Sequence, residues 1–324
     1  MTPRFAARSH KVMIAGVALL LSFSGFAQAQ QWPTKPIRLI VPFAPGGADV
    51  QARAVMDKVS ATIGQPVVIE TKPGAGAIIG TEFVARAPAD GYTLLYTISS
   101  HSALSTLNKL NFEPEKMVPV SLVGRGYLAV ATSALLPVKT FQEFVAYAKA
   151  NPGKVNYVSL GRNASLLQME ALRQQAGIEM TAVPFPGLAA GRLAVARNDV
   201  HLIIDSYQAL KPMIEGGKLR ALFIAGPSRS PLAPDLPNSA EAGVPGYTAG
   251  WWTGVFAPPG TPKEIAVRFA NEVAASARTP EVRKYFAEAA GEAVGSTPDE
   301  FATLVESTRK QHAESARRAD IKPE

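Results

Sequence analysis

Short apolar runs alternate with segments of helical periodicity along most of this chain. Three such runs, at residues 39–41, 67–70 and 93–97, have the length and the flanking glycine or proline residues that are typical of buried strands. After the first two runs the pattern becomes helical, with one helix opening near Asp49 and another running to about Arg86. This alternation predicts an α/β fold in which each sheet is mostly parallel and is flanked by helices.

The alternation continues through the rest of the chain. Strands are predicted at residues 118–123, 128–132, 155–157, 180–183 and 200–204, and helices at 166–175 and up to about 196. Capping boxes, in which a threonine is followed three residues later by a glutamate, open three further helices at Thr140, Thr261 and Thr297. A stretch rich in proline, asparagine and glycine at residues 232–246 is interpreted as a long surface connection.

The length of the chain favours two lobes. About 295 residues remain after the amino-terminal segment described below, which exceeds the usual size of a single hydrophobic core. The predicted first lobe comprises residues 30–131 together with 253–324, and the second comprises residues 132–252. The apolar run at 251–257 is interpreted as a strand that crosses back to the first lobe.

The first 29 residues have the pattern of an export signal. Arg4, Arg8 and Lys11 precede an apolar stretch at residues 12–26, and Ala27-Gln28-Ala29 resembles a cleavage site. We therefore expect a cleaved signal peptide over residues 1–29 and a periplasmic protein; an uncleaved membrane anchor is the alternative. No later stretch is long and apolar enough to span a membrane.

Charge and cysteine content exclude several classes of function. Without residues 1–29 the chain has 30 basic and 26 acidic residues, so its net charge falls from +7 to 30 − 26 = +4. The charges are interspersed without a basic run, which argues against a nucleic-acid partner. The chain has no cysteine and therefore no disulfide and no thiolate site. The histidines show no metal spacing, and we expect no cofactor.

Two glycine-containing turns carry the candidate chemistry. Gly46 and Gly47 follow the first predicted strand and precede a helix, and Gly74 and Gly76 follow the second. A helix start exposes unpaired backbone N–H groups and a partial positive charge, which together can hold an anion. Glycine allows a ligand to approach the main chain closely. Such turns can also be purely structural, and it is their repetition that favours a ligand with carboxylate groups.

Five motifs, in order, give the chain a resemblance to a known family. They are Trp32-Pro-Thr-Lys-Pro-Ile, Val41-Pro-Phe-Ala-Pro-Gly-Gly-Ala-Asp49, Lys72-Pro-Gly-Ala-Gly76, Ala89-Asp-Gly-Tyr92 and Phe256-Ala-Pro-Pro-Gly-Thr-Pro262. The chain resembles the receptors of tripartite tricarboxylate transporters, also called Bug receptors, over nearly all of residues 30–324.

The resemblance implies a fold, a function and partners. The fold would be that of a two-lobed, type II-like periplasmic binding protein with a hinge of crossing strands. A small organic carboxylate would bind between the lobes and be presented to membrane permease subunits or to a sensor kinase, and the receptor would be a monomer. The positions that correspond to the family's ligand-binding loops are Phe43, Gly47, Ala48, Asp49, Ala75, Gly76 and Ala77.

The chain departs from the family pattern in the second lobe and at Ala77, where glycine is usual. The common Tyr-Gly-Ser-Ala-Gly-x-Gly-Ser run is replaced by Tyr157-Val-Ser-Leu-Gly-Arg-Asn-Ala-Ser165. Arg162 in this run could bind a distal carboxylate or lie in solvent. Asp49 and Asp205 could contact a ligand or have structural roles, as a helix N-cap for Asp49 and in a turn for Asp205. Further hydroxyl candidates are Ser99, Ser100 and Ser159.

An enzyme is the alternative function. The Gly74-x-Gly76-x-x-x-Gly80 spacing differs by one residue from a dinucleotide fingerprint. There is no Gly-x-Ser-x-Gly elbow and no phosphate-binding loop of the nucleotide hydrolases. A secreted hydrolase acting on a small carboxylate-containing substrate stays open, because catalytic triads form in space and need no fixed spacing.

Overall fold

The computed structural model describes residues 32–288 and 291–324, and every element below lies in the unit Lys35–Glu324. The predicted signal peptide, residues 1–29, is outside the described residues. Within these ranges no helix combines the length and the apolar character that crossing a membrane requires.

The first part of the chain forms three parallel strands joined by helices. In chain order the elements are β1 (Ile37–Val41), α1 (Gly47–Ile63), β2 (Val67–Thr71), α2 (Ile78–Ala85), β3 (Thr93–Ile98) and the short helix α3 (Leu104–Leu107). Strand β1 lies between the other two, with Val41 opposite Thr71 and Leu39 opposite Leu94. The pattern-based prediction of these strands is confirmed to within two residues.

The middle of the chain begins with one long strand and continues as a second set of strands and helices. The elements are β4 (Val118–Ser133), α4 (Phe141–Ala150), β5 (Asn156–Ser159), α5 (Ala164–Ala176), β6 (Thr181–Pro184), α6 (Leu188–Ala196), β7 (Leu202–Ser206), α7 (Tyr207–Glu215) and β8 (Leu219–Ile224). Strands β5, β6 and β7 are mutually parallel.

The last part returns along β4 and ends in helices. Its elements are β9 (Gly250–Ala257), α8 (Lys263–Ala277), α9 (Pro280–Glu288), β10 (Glu292–Ala293) and α10 (Pro298–Arg318). Thr297 caps α10 as predicted: its hydroxyl accepts from the Glu300 N–H at 3.3 Å, and Glu300 accepts from the Thr297 N–H at 2.9 Å. Pro298 occupies the first helical position.

Strand β4 joins the two sets of strands. The strand order is β2-β1-β3-β9-β4-β7-β5-β6, with β8 and β10 also paired to β4. Residues 118–127 of β4 pair with β9, and residues 128–133 pair with β7 and β8. The outer strands are parallel, whereas the pairs that involve β4 and β9 are antiparallel, so the sheet is mixed at its centre. The proposed division into two lobes would follow this change of partners.

The hydrophobic clusters follow the same pattern. Two clusters lie on the second set of strands, around Phe144 and Tyr247 and around Ile203. Another cluster packs Phe256 and Phe301 against the first set. A small cluster contains residues from both parts of the fold: Ala103, Leu107, Leu167 and Ala316. Helix α10 therefore starts against the first set of strands and ends against α5.

Three features differ from the sequence prediction. The strands predicted at 118–123 and 128–132 are one continuous strand. The predicted capping box at Thr261 is wrong, because α8 starts after Pro262 and the Thr261 hydroxyl donates instead to the Pro258 carbonyl at 2.8 Å. Helices α7 and α9 and strand β8 were not predicted; α7 contains Pro212, which obscures its helical pattern.

Candidate functional site

The carboxyl ends of the parallel strands converge on the middle of β4. Ile98, the last residue of β3, pairs with Thr253 of β9, which in turn pairs with Gly124 of β4. From the other side, Ser206 at the end of β7 pairs with Leu128. Ligands of open α/β sheets bind outside the carboxyl ends of strands. The candidate site therefore lies around residues 124–128, with loops from both sets of strands facing it.

The first glycine turn leads into α1. Gly46 is the N-cap and Gly47 the first helical residue, so the N–H groups of Gly47 and Ala48 have no intrahelical partner. A Cβ atom built on Gly47 would meet nothing within 4 Å, which leaves the approach to these groups open. Phe43, on the same loop, is half-buried. The turn thus offers two backbone donors, and the approach at Gly47 is open.

Asp49 has a different capping role from the one that the sequence suggested. It is the third helical residue rather than the N-cap, and its Oδ1 accepts from the Gly46 N–H at 2.5 Å. The carboxylate is buried, with 7% of the residue exposed. It therefore occupies one of the backbone donors at the start of α1 and adds a negative charge beside the others. Burial, with a smaller contribution from the Asp49 charge, raises the pKa of Tyr285 on α9.

The second glycine turn has a left-handed backbone over three consecutive residues. Ala75, Gly76 and Ala77 have φ values of 45°, 62° and 82°. Alanine in this region costs about 1–2 kcal/mol, because its Cβ crowds the following carbonyl. Ala75 and Gly76 are exposed, whereas Ala77 is buried. Strain concentrated beside a helix start is typical of functional loops.

Gly80 brings the two turns together. A Cβ atom at this α2 position would lie 2.7 Å from the Lys72 carbonyl oxygen and 2.7 Å from Pro42 Cβ. Pro42 and Lys72 are the residues that directly follow β1 and β2. The missing side chain of Gly80 therefore allows α2 to pack against both loops at once.

Replacing Gly80 by alanine is expected to lower the free energy of unfolding by about 1–3 kcal/mol, since backbone atoms must move to accept the methyl group. Urea denaturation would measure this loss. Gly47→Ala, at an open position, is the matched control and should not destabilise the protein. Alanine usually stabilises a helix relative to glycine, so a Gly80→Ala protein as stable as the original would contradict this account of the packing.

The remaining predicted residues of the first set, Ser99 and Ser100, lie in a 3₁₀ turn directly after β3 and are half-buried. Ser99 lines a cavity of about 70 Å³ together with Gln168 of α5, Trp252 of β9 and His312 of α10. Trp252 Nε1 and His312 Nδ1 have no hydrogen-bond partner among the described residues. A cavity of this size with several polar side chains in its lining has room for ordered water.

Ser159 is the last residue of β5, and Arg162 lies in the loop that follows it before α5. Ser159 is buried, and its hydroxyl accepts from the Gly161 N–H at 3.2 Å, which shapes the loop. Arg162 donates to the Lys322 carbonyl at 2.5 Å, and its Nη1 lies 3.5 Å from Glu324 Oε1. In this arrangement the Arg162 guanidinium is engaged by the last residues of the chain.

Asp205 is buried at the end of β7, with both carboxylate oxygens occupied. Oδ2 accepts from Arg192 Nη1 at 2.5 Å, and Oδ1 accepts from the Ser206 N–H at 2.7 Å. Sequence reasoning missed Arg192, although a signal was present. Leu188, Arg192 and Val195 share one face of α6, and an arginine on an otherwise apolar face indicates a buried partner.

Within residues 32–288 and 291–324, no group of three or more histidine, aspartate or glutamate side chains could hold a metal ion. The site as described offers backbone N–H donors from the turns, loop hydroxyls and the guanidinium–carboxylate pair of Arg192 and Asp205. Such a set can hold an anion by hydrogen bonds.

Comparison with known proteins adds independent evidence. The model of the tripartite tricarboxylate transporter family receptor matches residues 51–317. The chain is 34% identical over 298 residues to Protein BugT of Bordetella pertussis, covering 89% of this chain and 91% of that protein.

Two solved structures are similar over almost their whole length. One is R. palustris Rpa4515 with adipate, with a TM-score of 0.71 and 32% identity, covering 91% of this chain and 100% of that one. The other is MatC (Rpa3494) from Rhodopseudomonas palustris with bound malate, with a TM-score of 0.68 and 29% identity, covering 88% and 99%.

Proposed function

Because the chain belongs to the tripartite tricarboxylate transporter receptor family, whose fold is that of periplasmic binding proteins, we propose that it captures a small organic carboxylate between two lobes. The observation that carries this proposal is the pair of turns at the ends of β1 and β2, where the N–H groups of Gly47 and Ala48 at the start of α1 have no intrahelical partner. The adipate and malate bound to two similar proteins support the same class of ligand.

The proposed ligand contacts come from both sets of strands. From the first set they are Phe43, Gly47, Ala48, Ala75, Gly76, Ala77, Ser99 and Ser100, with Asp49 beside them. From the second they are Ser159 and Asp205 with its partner Arg192. Neutral N–H donors stabilise a carboxylate that has left water without forming a deep ion pair, so the ligand can be released.

Lobe closure would follow from these contacts. Strands β4 and β9 are the segments that would bend, because β4 pairs with both sets of strands. A ligand favours the closed arrangement only by touching both lobes, since differential contact alone shifts such an equilibrium. A micromolar affinity corresponds to about −8 kcal/mol, which several charge-assisted hydrogen bonds of about 1.5–3 kcal/mol each can supply against the ordering costs.

We further propose that the ligand is released unchanged, as expected of a binding receptor rather than an enzyme. The protein would act in the periplasm after cleavage near Ala29, and membrane permease subunits or a sensor kinase would be the partner that receives the closed form. The family's receptors act in such systems, which supports this part of the proposal.

A thermal-shift screen of mono-, di- and tricarboxylates, with neutral sugars and cationic amines as controls, tests the proposal. A carboxylate should raise the melting temperature, and mass spectrometry after incubation should recover it chemically intact. Stabilisation only by sugars or amines would overturn the ligand class, and a converted carboxylate would favour the enzyme alternative.

A further inference from the structure

We propose that Arg192, held in place by Asp205, binds the second carboxylate of the ligand and makes this protein selective for dicarboxylates. This inference rests on the proposed function, because it assigns the ligand's distal end to a residue of the second set of strands. It concerns a side chain on α6 outside the glycine turns.

The position of Arg192 directs its side chain toward the site. Helix α6 begins at Leu188, directly after the loop that leaves the carboxyl end of β6. Side chains on a helix lean toward its amino terminus, so an arginine in the second turn reaches back toward that loop. Its contact with Asp205 places the guanidinium at the end of β7, whose last residue lies opposite Leu128 in the middle of β4.

The guanidinium is fixed but only partly used. Nη1 donates to Asp205 Oδ2 at 2.5 Å, whereas Nε and Nη2 make no hydrogen bond within residues 32–288 and 291–324. The Arg192 side chain is 23% exposed and the Asp205 side chain 6%. The unused donors therefore face solvent while the carboxylate that orients them is buried. Two N–H groups on a positioned guanidinium match the two oxygens of a carboxylate.

The strength of the donors explains why the second carboxylate would use this residue. The two glycine turns offer neutral N–H donors, with the Asp49 carboxylate beside them and Arg53 Nε 3.9 Å from its Oδ2. The free N–H groups of Arg192 are charge-assisted donors, which form stronger hydrogen bonds to a carboxylate than neutral N–H groups do. Asp205 offsets the charge of Arg192 but holds its geometry without blocking these donors.

Two other arginines near the site have partners elsewhere. Arg125 of β4 pairs with Glu292, with 2.5 Å between Nε and Oε1. Arg162 donates to the Lys322 carbonyl and lies beside Glu324, so binding a ligand would require it to leave both partners. For this reason we assign the distal carboxylate to Arg192 rather than to Arg162.

The test compares matched ligands in matched variants. Isothermal titration calorimetry measures the affinity for linear dicarboxylates of three to eight carbons and for the monocarboxylates of equal length, such as hexanoate beside adipate. The ratio of the two affinities in each pair is the preference for the dicarboxylate. Arg192→Gln should weaken the best dicarboxylate by about 10-fold or more and its monocarboxylate by less than about 3-fold. The affinity of Arg192→Lys for the dicarboxylate should lie between those of the original protein and Arg192→Gln, because lysine keeps the positive charge but lacks two parallel N–H donors.

Two controls separate specificity from folding. Arg197→Gln removes an exposed arginine from the end of the same helix, where it pairs with Asp199, and should change neither affinity. Arg192→Gln leaves the buried Asp205 carboxylate without its cation, so the double variant Arg192→Gln/Asp205→Asn removes that charge. The double variant should regain the stability that Arg192→Gln loses, while its preference for dicarboxylates should stay lost.

Each outcome bears on the inference. Equal binding of both ligand classes by the original protein, or equal losses in Arg192→Gln, would overturn the role of Arg192 while the proposed function stands. Arg162→Ala abolishing the preference would transfer the role to that residue. Binding of neither class would remove the proposed function itself.

Discussion

Lowering the pH from 7 to 5 is expected to reduce the free energy of unfolding by about 4 kcal/mol, with roughly half from each of His101 and His312. Burial lowers the pKa of both imidazoles to about 4. In the unfolded chain they titrate near pH 6.5, so the unfolded state binds more protons below that pH. The stability that the two neutral imidazoles contribute is therefore fully present above pH 6.5 and is lost as the pH falls toward 4.

The surroundings of the two rings give the physical reason. His101 is 5% exposed and packs on Phe256 with ring centroids 4.4 Å apart, and His312 is 2% exposed. In each ring Nδ1 has no hydrogen-bond partner among the described residues. Protonation would place a positive charge on a ring that is removed from bulk water, and this cost is the reason that burial lowers the pKa of each imidazole.

Urea denaturation at pH 7, 6 and 5 measures the loss, and NMR titration of the imidazole protons measures each pKa directly. His312→Gln should flatten the dependence of stability on pH by about half. His201→Gln is the matched control: burial also lowers the pKa of His201, but that residue is only half-buried, and its removal should flatten the curve less. Imidazoles of His101 and His312 that titrate near pH 6.5 would refute the prediction.

Local patterns were sufficient to predict β1 to β3 and both glycine turns. Apolar runs of strand length followed by glycine and a helical pattern carry that information within some fifteen residues of sequence. The capping box at Thr297 was predictable for the same reason, because both partners lie three residues apart. The position of the N-cap at Gly46 rather than Asp49 was not, since glycine has no side chain to mark it.

The continuity of β4 could not be predicted because its glycines serve packing between distant elements. Gly124 and Gly126 lie between the two strands predicted at 118–123 and 128–132. In the structure a Cβ on Gly124 would lie 2.0 Å from the Phe286 ring, and one on Gly126 would lie 2.8 Å from the Trp251 ring. These glycines admit aromatic rings that come from β9 and α9, so the reason for them lies outside the local sequence.

The Arg192–Asp205 pair shows the same limit at the candidate site. Asp205 was predictable as a residue at a strand end, but its partner comes from the preceding helix and is defined only once α6 packs on β7. Conversely, Arg162 was singled out because it departs from the family pattern, and its contacts to Lys322 and Glu324 depend on the path of the last residues of the chain. The pairing of charges between different elements is thus the part of the site that only the three-dimensional structure reveals.

Replacing Gly47 by valine is expected to weaken binding of the cognate carboxylate by about 100-fold or more, equivalent to about 2.7 kcal/mol, while the melting temperature changes little. A carboxylate oxygen must come within about 2.9 Å of the Gly47 or Ala48 nitrogen to form a hydrogen bond. A Cβ at Gly47 meets no protein atom within 4 Å, so the valine methyl groups would occupy space that is open in the protein and needed by the ligand. Valine at the first position of a helix also imposes little strain, because the backbone there is not left-handed.

Calorimetry with the carboxylate found in the screen, combined with thermal denaturation, measures both effects. Ala61→Val is the control, since it also introduces a valine, at an exposed position near the other end of α1, and should leave affinity unchanged. The affinity of Gly47→Ala should lie between those of Gly47→Val and Ala61→Val, because one methyl group obstructs the N–H donors less than three carbons do. If Gly47→Val bound the ligand as tightly as the original protein, the unpaired N–H groups at the start of α1 could not be the binding site. The carboxylate would then have to be held by the second turn or by Arg192, and a ligand held by Arg192 alone would show no preference for a second acid group.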